Sequence, residues 1–359
     1  MIEINKGYKY RFYPTDEQKQ QIEINLNCQR YVWNGFLALK EFRYKEFKES
    51  ISLSAMDKTL TEIKRAEEWL QKADKWVLQQ CLRQLDTSFQ RFYKKIGKFP
   101  RFKSKRNTKD SYTTKAVFRK DNSFSIPKLG VLNLNYSRPL DVEKIGMCTI
   151  SKKNNKYYIS FNVIVSKNKY NKTGKKVGVD LGLKTFAYTS DNEQYSLPRR
   201  IWALESRLEK QQRKLSKKRD RDSKRYQKQK RYVANLHERI VNIRNDFQHK
   251  LTTELVRRYD YIAVEDLNIK GMMSNRKLAR AIGRCSFYQF RTFLEYKCKE
   301  HDKELKVIDR WFASSKTCSS CGCHKADLKL SDRTYKCTEC GTEIDRDFNA
   351  SINIRDWKN

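Results

Sequence analysis

The residues in this sequence best suited to chemistry are acids that close apolar segments. In Lys176-Val177-Gly178-Val179-Asp180-Leu181-Gly182-Leu183 the apolar positions alternate. As a strand, Val177, Val179 and Leu181 share one face, and Gly178, Asp180 and Gly182 share the other. A carboxylate with glycine two residues to either side is expected to leave room for a metal ion carrying a phosphate. Tyr261-Ile262-Ala263-Val264-Glu265-Asp266-Leu267 is a second apolar strand ending in acid, and Asp345-Arg346-Asp347-Phe348-Asn349-Ala350 is a third acidic site opening a short C-terminal helix. Hard oxygen ligands suit Mg²⁺, and two such ions about 4 Å apart clamp the attacking and leaving oxygens of a phosphodiester. Asp266 neighbours Glu265, but a strand turns it to the opposite face, so it is read as structural.

A second constellation is Cys318-Ser319-Ser320-Cys321 with Cys337-Thr338-Glu339-Cys340, a C-x₂-C-x₁₅-C-x₂-C spacing. Four thiolates so arranged predict a closed tetrahedral zinc site that folds a ribbon and does no chemistry. Gly322 and Gly341, each following the second cysteine of a pair, supply the tight turns, while Cys323 and His324 are alternative ligands beside the first knuckle. Cys28, Cys81, Cys148, Cys285 and Cys298 are scattered and read as buried thiols.

These groups must be held by a scaffold of 359 residues, enough for two or three domains. The formal charge of +36 implies a polyanionic partner, since phosphate contacts release counterions and the summed field steers nucleic acid inward. Aromatics at 12% supply both cores and platforms for unpaired bases. No run approaches the roughly 18 apolar residues of a membrane helix, and the opening residues do not begin a signal peptide, so a reducing cytoplasm is expected.

Residues 8–13 alternate aromatic and basic as an opening strand that stops at Pro14, after which Thr15 and Gln18 predict a capping box for a helix running toward residue 48. Its stripe of Ile22, Leu26, Val32, Phe36 and Leu37 predicts core contacts. A further helix is expected over 56–97, followed by β-like alternation to about 166, with a basic and aromatic run at 99–120 suited to nucleic acid. The polar stretch Ser166–Gly174 marks a domain boundary, and 199–258 reads as a helical hairpin. From Glu205 to Tyr232 there are 13 Lys/Arg against 4 Asp/Glu, a face that repels itself unless it lies along phosphates. A helix near 285–302 and a strand near 305–308 precede the cysteine knuckles.

Together these residues resemble the TnpB family of transposon-encoded, RNA-guided DNA nucleases, relatives of the compact type V CRISPR effectors. The likeness spans nearly the whole chain: YPTDEQ (13–18), FPRFKSKR (99–106), GVDLGLKTFAY (178–188), RNDFQHKLTTELV (244–256), VEDLNIKGM (264–272), SSKTCSSCG (314–322), YKCTECG (335–341) and DRDFNASINI (345–354). The resemblance implies a mixed α/β and β, multidomain fold. In it an RNase H-like, RuvC-type nuclease domain (174–310 and 342–359, with the hairpin 199–258) is split by a zinc ribbon (311–341). Ahead of it come a β-barrel wedge domain (1–14 and 98–170) and a helical recognition domain (15–97). It also implies magnesium ligands Asp180, Glu265 and Asp347, the last chosen over Asp345 because it directly precedes Phe348-Asn349-Ala350 in a D-x-N-A ending. Zinc would be held by Cys318, Cys321, Cys337 and Cys340. The implied partners are a guide RNA from the transposon end and double-stranded target DNA bearing a short flanking motif, with one protein copy per RNA. The implied reaction is attack by water with two Mg²⁺, leaving a 3′-hydroxyl and a 5′-phosphate. A guide-free RuvC-type nuclease or transposase, and an RNA-guided binder that does not cut, are the competing readings; such binders usually lack one or more of the acids, and all three are present here.

Overall fold

The computed structural model describes residues 2–106, 109–118, 123–137, 145–329 and 332–357; the basic and aromatic run at 99–120 lies partly outside them. The chain divides into two compact units, one of Glu3–Ser166 and one from Lys167 onward. Among the described residues no helix is long and apolar enough to cross a membrane.

The first unit runs β1 (Ile2–Phe12), α1 (Asp16–Phe47), α2 (Leu53–Ala66), α3 (Glu68–Gln71), α4 (Lys75–Tyr93), β2 (Ser111–Lys115), β3 (Val117–Phe118), β4 (Phe124–Ile126), β5 (Gly130–Leu132), β6 (Leu134–Asn135), β7 (Met147–Lys153) and β8 (Lys156–Lys167). Its strands form a five-stranded sheet in the order β2-β7-β8-β1-β6 and a three-stranded meander β3-β4-β5. The β7–β8 hairpin turns on Asn154 and Asn155, both at positive φ, a conformation asparagine tolerates. The capping box forms: the Gln18 N–H donates to Thr15 Oγ1 at 3.3 Å and the Thr15 N–H to Gln18 Oε1 at 3.1 Å. The α1 stripe of Ile22, Leu26, Val32, Phe36 and Leu37 is buried.

The single helix expected over 56–97 is instead three. Asp74 breaks it: its side chain accepts from the Trp76 N–H at 3.0 Å as the N-cap of α4. Buried among polar partners, Asp74 also takes the Thr114 hydroxyl, and its own N–H donates to Asn25 Oδ1 at 3.1 Å. An aspartate that caps a helix start satisfies donors a continuous helix would leave it no reason to meet.

The second unit runs β9 (Lys176–Asp180), β10 (Ala187–Thr189), β11 (Gln194–Tyr195), α5 (Arg200–Ser216), α6 (Lys224–Arg258), β12 (Tyr261–Glu265), α7 (Ile269–Ser274), α8 (Ala279–Cys285), α9 (Phe287–His301) and β13 (Glu304–Ile308). A short 3₁₀ turn at Ser314–Lys316 follows, then β14 (Thr334–Lys336), β15 (Glu343–Asp345) and α10 (Arg346–Asp356). The sheet order is β11-β10-β9-β12-β13, with β9, β12 and β13 parallel and β10 and β11 antiparallel.

Both faces of this sheet are covered, as the near-continuous apolar runs of β9 and β12 require. Val177, Val179, Ile262 and Val264 enter one core with Leu204, Leu236, Leu255, Phe290 and Leu294 from α5, α6 and α9. On the other face Ala263 packs with Ile308 and with Ile354 of α10. The unit is therefore a three-layer α/β/α stack around a mostly parallel sheet. The five scattered cysteines, Cys28, Cys81, Cys148, Cys285 and Cys298, are all buried, and burial pushes the Cys81 and Cys148 thiols up to about 12.

Candidate active site

The parallel register pairs Val264 with Val179, so the next step along the two strands sets Glu265 beside Asp180 at their C-terminal ends. Adjacent strands lie about 4.8 Å apart, close enough for one cation to bridge two carboxylates. Asp180 has the parity of Gly178 and Glu265 that of Ala263, which turns both toward the α10 face. That helix brings Asp347 in its first turn.

The electrostatics register this meeting. Burial raises the Asp180 carboxyl well above the usual carboxylate range, the charges of Glu265 and Asp347 raise it further, and Arg346 opposes them. Glu265 is also raised by burial, while a hydrogen bond from the Ser314 hydroxyl lowers it. Carboxylates gathered away from water disfavour one another's charge, and a divalent cation relieves that penalty. By this test the donor set suits a hard metal ion.

The two candidate aspartates of the C-terminal helix part company. Asp345 is the N-cap of α10, its Oδ1 accepting from the Asp347 and Phe348 N–H groups at 2.9 and 3.0 Å. Asp347 is half-buried and placed to raise Asp180. Asp266 turns away from the pair, as its strand parity requires, and is bound to Arg291 at 2.7 Å and to Arg310; these guanidinia hold its carboxyl below the usual range.

The room expected at the glycines is filled by the protein itself. A Cβ on Gly178 would stand 2.0 Å from the Ser351 carbonyl oxygen and 2.4 Å from the Arg355 nitrogen, so the α10 backbone lies directly on β9. A Cβ on Gly182 would stand 2.7 Å from the Thr185 carbonyl oxygen. Glycine at 178 thus admits a helix, which carries an acid, where the sequence suggested a ligand.

Other side chains fix that helix; the D-x-N-A ending includes Phe348 and Asn349 without giving them a role, and the sequence pattern does not single out Asn353 or Tyr188. Phe348, next to Asp347, stacks at 5.9 Å on Tyr188, which is the cross-strand partner of Asp180. Asn349 and Asn353 are buried on α10. Their Nδ2 groups donate to the Thr317 carbonyl at 2.7 and 2.6 Å, Asn353 also to the Ser314 carbonyl at 2.8 Å, and Asn349 Oδ1 accepts the Ser319 N–H at 2.9 Å. The first cysteine knuckle is thereby tied to the helix that carries Asp347, and the same network fixes the backbone of Ser314, which holds Glu265.

The four knuckle thiols, Cys318, Cys321, Cys337 and Cys340, converge with all sulfurs within 4.8 Å of one another, and Cys323 is outside the group. The Cys318–Cys340 and Cys321–Cys337 sulfurs stand 3.7 and 3.5 Å apart. Sulfurs bound about 2.3 Å from one tetrahedral ion lie about 3.8 Å apart, so the cluster fits zinc. Gly322 and Gly341 take φ of 77° and 71°, which favours glycine after each knuckle. Cys337→Ser is expected to bring zinc well below stoichiometric by elemental analysis and to lower the melting temperature. Full zinc retention would mean that Cys323 or His324 takes the place.

The family model described as "Probable transposase" matches residues 156–276, "Cas12f1-like, TNB domain" matches 287–354, and "Helix-turn-helix domain" matches 1–49. Within that last stretch the structure has one strand and one unbroken helix. A Streptomyces pristinaespiralis protein named as an RNA-guided DNA endonuclease is 35% identical over 99% of this chain and 89% of its own length. An Escherichia coli K12 protein named likewise is 28% identical over 97% of this chain and 91% of its own length. A protein chain in the cryo-EM structure of a Cas12f1–sgRNA–target DNA complex shares the fold, with a TM-score of 0.63 and 13% identity over 99% of both chains.

Proposed function

Since the chain belongs to the TnpB family of transposon-encoded, RNA-guided DNA endonucleases, we propose that Asp180, Glu265 and Asp347 are the ligands of a Mg²⁺-dependent, RuvC-type site that hydrolyses the target DNA. One observation carries this reading: two carboxylates end adjacent parallel strands, and a third, brought by α10, bears on the first. When bound, Mg²⁺ would activate water and offset the charge developing on the phosphate oxygens. The chain's part is to gather and orient these acids. Ser314 fixes Glu265, the Asp345 cap holds the first turn of α10, and Phe348 against Tyr188 sets Asp347 over Asp180. Water then attacks the phosphorus and the 3′ oxygen leaves as a hydroxyl, giving a 5′-phosphate.

The same reading assigns 174–310 and 342–359 to an RNase H-like nuclease domain with the hairpin 199–258, and 311–341 to a structural zinc ribbon. It assigns 1–14 with 98–170 to a wedge barrel and 15–97 to a recognition domain. Guide RNA and a duplex with a short flanking motif are its partners, and base pairing reads sequence while the basic protein reads backbone. The charge of +36 and the basic run between Glu205 and Tyr232 support a large nucleic-acid ligand.

The test is to express the protein from its native locus with flanking DNA and sequence the RNA that copurifies. A discrete structured RNA with a variable end is expected, and DNA matching that end should be cut with Mg²⁺ present and left whole when Mg²⁺ is omitted. Heterogeneous RNA, or cutting indifferent to the match, would refute the guided reading.

A further inference from the structure

The second unit contains a cavity of about 530 Å³ whose lining includes Glu265, the apolar side chains of Leu267, Ile269, Phe287 and Phe290, and the exposed Met273 and Tyr288. A sugar–phosphate backbone has no use for an apolar cavity; a base does. Tyr288 is 66% exposed, an outlay of aromatic surface to solvent that a base could cover, and the Arg291 guanidinium stands 5.9 Å from its ring centre. Asp266, one residue past Glu265, gathers Arg291 and Arg310 on the same wall, and Lys270 joins them. Glu295, 3.3 Å from Arg291, and Glu265 on the lining itself are the other acids in reach, so three cations stand against three carboxylates, of which Glu265 is the one the nuclease reading commits to metal. Each guanidinium carries five donors, more than these carboxylates engage, so phosphate oxygens can be bound without breaking the Asp266 pairs.

We propose that this cavity is a nucleotide subsite for the DNA strand being cut. It takes the base of one nucleotide flanking the scissile phosphate, stacked on Tyr288, while Arg310 and Arg291 hold a neighbouring phosphate. Asp266 is then a positioning residue, aiming two arginines at the strand from the position next to a metal ligand. The subsite rests on the nuclease reading of the carboxylates, and it would make cleavage depend on a base at one fixed distance from the cut.

The experiment uses the full chain loaded with its RNA, and target strands carrying a single abasic nucleotide at successive positions around the mapped cut. Cleavage by the natural protein should fall about tenfold at one position and little elsewhere. Tyr288→Ala should slow the intact substrate by a similar factor and erase that positional sensitivity, and Tyr288→Phe should restore it. A flat abasic profile in the natural protein, or a profile unchanged in Tyr288→Ala, would overturn the subsite. A second readout needs no cutting: in an Asp180→Ala background, 2-aminopurine scanned through successive positions of the DNA strand should be quenched on binding at one of them, and Tyr288→Ala should restore its fluorescence. Quenching of a label in the guide RNA instead would equally overturn it. Failure of the natural protein to cut any substrate would count against the nuclease reading, while the fluorescence would still decide the subsite.

Discussion

Asp180→Ala is expected to abolish cutting, by roughly 10³-fold or more, while guided binding to target DNA stays nearly intact. Divalent metal at a phosphodiester contributes several kcal/mol of transition-state stabilisation, and each 1.4 kcal/mol is about a factor of ten in rate. Asp180 is the residue on which both other acids bear, so its removal leaves Glu265 and Asp347 without the carboxylate between them. A rate assay under single-turnover conditions reads the loss, and a mobility shift with the same DNA reads the binding. Substantial residual cutting would mean that the acids do not hold the catalytic metal. The isosteric Asp180→Asn adds a thermodynamic signature: it removes a buried charge that its neighbours oppose. The metal-free protein should therefore melt higher than the natural one, and its stabilisation by Mg²⁺ should shrink.

Gly178→Ala is expected to be nearly as damaging to cutting, though it removes no chemical group. The added methyl would stand 2.0 Å from the Ser351 carbonyl and 2.4 Å from the Arg355 nitrogen, both backbone atoms of α10 that no side-chain rotation can clear. Forcing such an overpacked contact costs about 1–3 kcal/mol, paid by lifting the helix off the sheet. Asp347 rides on that helix, and a displacement near 1 Å at a reacting centre can cost about 10²-fold in rate. Thermal melting and the cleavage assay should fall together. Gly283→Ala, with nothing within 4 Å of its added methyl and a helical backbone in α8, is the control. It should leave cutting unchanged and stabilise slightly, because alanine suits a helix better.

What the sequence disclosed and what it withheld follow a physical divide. The capping box at Thr15 and Gln18 and the turns after the cysteine pairs are settled within a few residues, where local geometry leaves one answer. Apolar alternation likewise set Val177 and Val179 inward and turned Asp266 away from Glu265. Asp345 and Asp347 could not be separated by spacing, because the choice depends on which one spends its oxygens on the helix N-terminus and which faces β9. Gly178 was misread for a related reason. A glycine announces that something comes close, and only the folded chain says whether that is a ligand or another helix. The break at Asp74 was hidden since its partners Asn25 and Thr114 are distant in sequence, and the stack of Phe348 on Tyr188 is equally a pairing of remote positions.

The closing of the site by α10 has a consequence in time. β9, β12 and β13 are all complete by Ile308, so a growing chain possesses Asp180, Glu265 and the sheet that aligns them while the ribbon and the last helix are still being made. Asp347 emerges only after the ribbon. Translation therefore passes through an intermediate that holds the strands and two of the acids, and a frameshift or stop codon within the ribbon leaves a polypeptide that never gains the third.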